Sequence, residues 1–276
     1  MARTNNLNNF LADVADAIRT KKGTTDTILA SDFDTEITNL PSGGGVDLDD
    51  YFNDTISAGD YYDSGWIKVL KKFPETLTIE GTSASYMFDK YPYSEIPEID
   101  FSEVTNFLSA FQISKITSLN LDIPKATNLN YCCYNCNLLT ELELSNTNLV
   151  TNIMTFVSGC TSLVTLSEFN GEKINMIHNS FANCTSLANF GGIKDLGANY
   201  GTSVQANYMY YKLDLSPCTA LTEESLISIL NNLYDIATRG CNTQSCILGT
   251  TNLAKLTSEE GQTALTNAQT KGWTVS

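Results

Sequence analysis

Apolar residues fall at helical spacing over residues 4–22, where Leu7, Phe10, Leu11, Val14 and Ile18 share one face. Thr4 is placed to cap the start. Arg19, Lys21 and Lys22 suit the carboxyl end of the dipole, and Gly23 suits the left-handed position after it. A shorter helix is expected after Ser31, burying Phe33, Ile37 and Leu40. Pro41-Ser42-Gly43-Gly44-Gly45 then reads as a flexible linker. Beyond it the pattern shortens to strands at 65–70 and 76–80.

From about residue 83 the chain repeats itself. Cys-x-x-Leu recurs at Cys136–Leu139, Cys160–Leu163 and Cys184–Leu187, a period of 24 residues, and Ile116 and Leu119 occupy the same frame one copy earlier. A Thr-Asn phrase keeps step within Val104–Phe107, Ala126–Leu129 and Val150–Ile153. An aromatic residue follows at Phe88, Phe111, Tyr134, Phe156 and Phe181. The leucine-rich template fits Leu139, Leu142, Leu144 and Leu149, and also Ile116, Leu119 and Leu121. Thr147 and Pro124 stand where that template has Asn or Cys. The third copy keeps Leu163 and Leu166 and breaks at Glu168, and the fourth keeps Leu187 and Phe190 and breaks at Gly192. One such copy has no core of its own, so the copies must stack.

Downstream, Thr222 caps an expected helix from Glu223 to about Ala237 with Leu226, Ile229, Leu230 and Leu233 on its buried face. A strand at 246–248 follows. Thr257-Ser-Glu-Glu260 is a capping box for a last helix that Gly272 ends, and Trp273-Thr-Val275 closes. The expected fold is α+β: a small helical N-terminal head at 1–41, a Gly-rich linker at 42–46, an N-terminal cap at 47–82, a degenerate leucine-rich-repeat solenoid at 83–221, and a mixed α/β C-terminal cap at 222–276.

Composition narrows function. Thirty-one acidic against sixteen basic residues in 276 give a formal charge of −15, which argues against nucleic-acid binding and anionic membrane surfaces. No apolar run reaches the roughly 20 residues of a membrane helix, so no membrane insertion is expected. The first ten residues hold no apolar signal core, so a signal peptide is not expected. His178 is the sole histidine, which removes most triads and histidine metal sites. No catalytic residue, metal or cofactor is expected. Cys136, Cys160 and Cys184 share a repeat position and read as a buried column of small apolar side chains. Cys241 and Cys246 flank a loop and could pair outside a cell, although a cytoplasmic origin favours free thiols. The acidic run Asp47, Asp49, Asp50, Asp54, Asp60 and Asp63 does not have EF-hand spacing and reads as solvated surface.

Candidate contacts are therefore surface ones. Glu141 and Glu143 alternate with Leu142 and Leu144 and project to solvent, with Asn120 and Asp122 in the preceding copy. Tyr208, Tyr210 and Tyr211 add flat amphipathic groups suited to protein or sugar. Leu7, Phe10, Leu11, Val14 and Ile18 form a stripe too short to be stable alone and are the candidate partner contacts of the head.

The Thr-Asn-x-x-x-x-aromatic and Cys-Thr-Ser-Leu phrases resemble the BspA-type leucine-rich repeats of bacterial surface antigens, over roughly residues 83–221. Leu11-Ala-Asp-Val-Ala-Asp-Ala-Ile-Arg19, followed by Lys22-Gly-Thr-Thr-Asp26, is similar to the head segment of bacteriophage tail and fibre proteins. Ser228–Leu233, Leu248–Leu256 and Lys271-Gly-Trp273 are similar to the tail of leucine-rich-repeat proteins from phages of gut bacteria. The resemblance implies a virion component that binds other virion proteins through its head and a host surface protein or glycan through its repeats, as a homo-oligomer. The alternatives are a secreted bacterial adhesin of the same repeat family and a glycan-cleaving enzyme.

Overall fold

The computed structural model describes residues 14–16, 18, 19, 76–79, 81–96 and 98–276. The chain divides into two compact units, Met1–Pro74 and Glu75–Ser276. The division lies after Pro74, and the Gly-rich 42–46 segment falls inside the first unit. In that unit Val14, Ala15, Asp16, Ile18 and Arg19 are helical, with Val14, Ala15 and Ile18 buried and Arg19 paired with Asp16 one turn away. The remainder of the helix expected at 4–22, the helix after Ser31 and the strand at 65–70 lie outside the described residues.

The second unit is built on parallel ladders, whose rungs up to Lys194 are 22–24 residues apart. Strands β1 (Thr76–Thr78) and β2 (Glu98–Asp100) pair with each other. Strands β3 (Ser118–Asp122), β4 (Glu141–Ser145), β5 (Thr165–Leu166) and β7 (Asn189–Phe190) form a parallel four-stranded sheet in the order β3-β4-β5-β7. Its register aligns Leu119 with Leu142, Leu142 with Leu166, and Thr165 with Asn189. The period-2 pattern of β4 sends Leu142 and Leu144 inward and leaves Glu141 and Glu143 exposed, as strand geometry requires. Ile116, Leu139, Leu163 and Leu187 are all buried. Leu149, by contrast, is 37% exposed, and its neighbour Val150 takes the inward place at 1%. The fit to the template therefore fails at Leu149.

A second ladder explains the Thr-Asn phrase. Ser83, Asn106, Asn128, Asn152 and Met176 form successive parallel bridges. The Thr105, Thr127 and Thr151 hydroxyls each donate to the carbonyl one rung back, of Thr82, Thr105 and Thr127. Asn106, Asn128 and Asn152 each accept their own chain's N–H two residues on, the local turn that this residue type favours. Asn128 Nδ2 also donates to Asn106 Oδ1 at 2.9 Å. Two columns of left-handed residues make the corners: Tyr86, Ser109, Tyr131, Thr155 and Asn179, then Lys90, Ile113, Asn135, Gly159 and Asn183. At Gly159 a Cβ would lie 2.0 Å from Asn135 Oδ1, so a larger residue there would have to displace the Asn135 amide.

The aromatic mark needs correcting. Backbone bonds from Phe88 to Ala110, Phe111 to Cys132, Cys133 to Phe156 and Val157 to Ser180 place Phe88, Phe111, Cys133, Val157 and Phe181 in one register. Tyr134 and Phe156 are therefore one residue out of step. Tyr134 is half-buried, whereas Phe156 is buried on the same rungs as the smaller Ala110, Cys132 and Ser180.

The cysteines are more than small apolar fillers. Cys136 Sγ donates to Phe111 O (2.9 Å), Cys160 Sγ to Cys133 O (3.0 Å), Cys184 Sγ to Val157 O (3.1 Å) and Cys218 Sγ to Phe181 O (3.6 Å). Each acceptor already takes the N–H three residues on, so the thiol fills the second lone pair of a buried carbonyl. All eight cysteines are free thiols, and Cys241 and Cys246 are not bonded to each other.

At Ser167-Glu168 and Gly191-Gly192 the regular pairing lapses. Ser167 Oγ there accepts the Leu144 N–H that a backbone carbonyl would otherwise take. Pairing resumes in β6 (Phe169–Asn170) with β8 (Ile193–Lys194). Helix α1 (Glu223–Asn232), capped by Thr222, then covers the β7 edge. Its Ser225 hydroxyl accepts from Phe190 N and donates to Ala188 O, and Ser228 Oγ donates to Gly191 O. This helix ends at Asn232, short of Ala237, because Leu233 is extended and bridges Leu196. Strands β9 (Leu213–Asp214), β10 (Gln244–Ile247) and β11 (Trp273–Val275) form a parallel sheet in the order β11-β10-β9. A short helix α2 (Gly249–Leu253), which the sequence pattern did not predict, carries Asn252. Asn252 is 0% exposed, and its Nδ2 reaches Leu215 O, Cys218 O and Leu248 O at 3.0–3.2 Å. It does for Leu215 what the thiols do for the carbonyls before it. The last helix α3 (Glu259–Thr270) starts at Ser258, whose Oγ accepts from Gly261 N. The carboxylate that completes this start is not Glu260: Glu223 Oε1 accepts the N–H groups of Thr257 and Ser258, both at 2.7 Å.

Candidate functional site

Two outward surfaces carry the candidate residues. The first is the solvent face of β3 and β4. Strand alternation points Ser118, Asn120 and Asp122 outward beside Glu141, Glu143 and Ser145, and all six are exposed. Asn120 Nδ2 donates to Glu143 Oε2 at 3.1 Å. Asp122 Oδ1 accepts from Ser145 Oγ at 3.2 Å and from Asn146 Nδ2 at 2.7 Å. The structure thus brings Asn120 and Glu143 together and sets Asp122 in a separate cluster of amide and hydroxyl. The face offers fixed hydrogen-bonding groups, with Glu141 and Glu143 projecting from the same strand.

The second surface joins residues 176–178 to 207–211. Ile177 N donates to Tyr210 O at 2.8 Å, a single backbone bond that sets Tyr210 beside the end of the ladder. Tyr208 contacts Tyr210 and Tyr211, with ring centroids 5.4 Å apart in both pairs, and His178 meets the Tyr210 ring edge-on at 6.2 Å. Tyr211 is half-buried and stacked on the buried Tyr200 at 4.2 Å, so much of its ring is core packing rather than free contact surface. Burial, and secondarily Tyr208 beside it, push the Tyr211 phenol up. Tyr208 is exposed and Tyr210 half-buried. The candidates drawn from the sequence missed Met176 and Met209, which are 40% and 48% exposed in the same patch. The available signal was the failure of the Thr-Asn phrase, which becomes Asn175-Met176.

Other candidates fall elsewhere. Val14 and Ile18 are buried within the chain, and Leu7, Phe10 and Leu11 lie outside the described residues. The acidic run from Asp47 to Asp63 and the Tyr61-Tyr62 pair also lie outside them. Tyr91 is buried and bonds Glu95 O, whereas Tyr131 is exposed with Tyr134 at 5.4 Å. Among the described residues no group of three or more His, Cys, Asp or Glu side chains is placed to hold a metal ion. Among the same residues no helix is long and apolar enough to cross a membrane.

No protein-family model matches the chain, and no curated protein or solved structure matches it either.

Proposed function

We propose that the chain is a non-enzymatic structural and adhesion component of a bacteriophage particle. Its head, residues 1–41, joins it to other virion proteins. Residues 83–221 form a leucine-rich-repeat solenoid that presents a binding surface to the host or to another virion protein, and the assembled form is a homo-oligomer. The observation that carries this reading is the match between repeated phrases and repeated rungs. The Thr-Asn and Cys-x-x-Leu phrases fall on parallel ladders at 22–24-residue intervals, with hydroxyl, amide and thiol side chains bonded from one rung to the next. Such an array gives a rigid outward face at little cost in side-chain order, which suits recognition by shape and hydrogen bonding. The experiment is proteomic mass spectrometry of purified particles, followed by cryo-EM to place the chain. Peptides of this chain at a fixed copy number per particle are expected. Particles that lack the chain would overturn the virion assignment.

A further inference from the structure

The position held by Ser83, Asn106, Asn128 and Asn152 on successive rungs is filled by Met176, and the backbone bond from Ile177 to Tyr210 puts Tyr210 next in the column. Four earlier rungs show that the fold accepts a small polar residue there. Met176 and Tyr210 are therefore not demanded by the ladder, and Met176 leaves 40% of its surface exposed. Tyr208 and Met209 extend the same patch, 37% and 48% exposed, with His178 at its margin.

Charge and size restrict the occupant. The two segments that build the patch, 174–180 and 196–211, contain no Asp, Glu, Lys or Arg, in a chain of net charge −15. An anionic ligand meets an overall repulsive field, and a cationic one finds no counter-ion in the patch. Three side chains offering roughly 200 Å² each, a little under half exposed, present on the order of 250 Å². A stable protein interface needs about 800 Å² per partner. A small neutral ligand fits that area. Ring faces suit the C–H face of a pyranose, and the Tyr208 and Tyr210 hydroxyls and the His178 ring nitrogens suit its hydroxyl groups.

We propose that Met176, His178, Tyr208, Met209 and Tyr210 form a binding site for a neutral saccharide. The assignment rests on reading the chain as an attachment module, and it names the ligand class of that module. The test is saturation-transfer NMR of the full chain with lactose, maltose, cellobiose and chitobiose. At least one sugar should show transfer to its ring protons. Transfer should fall about tenfold in the Tyr208→Ala/Met209→Ala double variant and in Met176→Asn, which installs the residue of the earlier rungs, and should persist in Tyr131→Ala. Unchanged melting temperatures keep folding out of the comparison, and Met176→Asn serves should the double variant not fold. The site is refuted if none of the four sugars responds or if the variants respond as the wild type does. Loss of host-cell attachment in the variants, without any sugar response, would assign the patch to a protein partner and overturn the saccharide. The measurement needs no particles, so a chain that binds sugar yet is missing from virions sinks the virion assignment alone.

Discussion

Replacing Asn252 by leucine removes two N–H protons that three buried carbonyls share: Leu215 O and Cys218 O at 3.2 Å and Leu248 O at 3.0 Å. It also deprives Lys255 Nζ of its 3.1 Å contact with Asn252 Oδ1, although that ammonium keeps Thr219 O and Leu221 O. Asn252 has no exposed surface, so water does not replace the lost donors without opening the core. Leu215 O and Cys218 O retain backbone donors three residues on, which limits the damage to their second lone pairs. Two lost hydrogen bonds at about 1 kcal/mol each, with the desolvation of carbonyls left half-satisfied, give roughly 2–4 kcal/mol. In a cooperative unit of about 200 residues that lowers the melting temperature by about 5–15 °C. Circular dichroism melts of wild type and Asn252→Leu, scanned at two rates to check reversibility, measure it. A variant that melts within about 2 °C of wild type would show that the Asn252 amide does not join α2 to the preceding rung energetically.

Three further outcomes follow from particular contacts. Leu142→Ala, at a fully buried position in the middle of the β3-β4-β5 pairing, should cost about 2–5 kcal/mol in denaturant unfolding, and a loss below about 1 kcal/mol would contradict its place in the core. The Ser258 and Thr257 N–H groups hold the Glu223 carboxyl below its ordinary value, so its stabilising share is present above about pH 4.3 and fades as pH falls through the lowered value. The melting difference between wild type and Glu223→Gln should accordingly be largest at neutral pH and close on acidification, and a difference that grows in acid would refute the contact. Seven of the eight thiols are buried, and burial pushes Cys246 up to about 12. An aromatic disulfide reagent should thus titrate no more than Cys241 in the native protein and all eight once it is unfolded; fast native labelling of several thiols would refute the thiol column.

Local chemistry made much of the molecule legible from sequence. The alternation in 141–145 determined which side chains face inward, because a strand has only two faces. Thr222 ahead of Glu223-Glu224 marked a helix start, because an unsatisfied N–H needs an oxygen within a turn. The 24-residue spacing of Cys136, Cys160 and Cys184 marked equivalent positions, since a side chain that fits one rung fits the next. What sequence left open depends on neighbours far along the chain. Tyr134 and Phe156 look equivalent by spacing, yet hydrogen-bond register puts them on opposite sides of the column, two residues apart, and gives them different surroundings. The carboxylate at the Ser258 helix start comes from Glu223, 35 residues away, where a local pattern pointed to Glu260. The thiols and Asn252 became donors only when folding placed a buried carbonyl with a free lone pair beside each of them. Met176 and Tyr210 became neighbours only through the backbone bond joining Ile177 to Tyr210, because tertiary contact, not sequence distance, decides which exposed side chains form one surface.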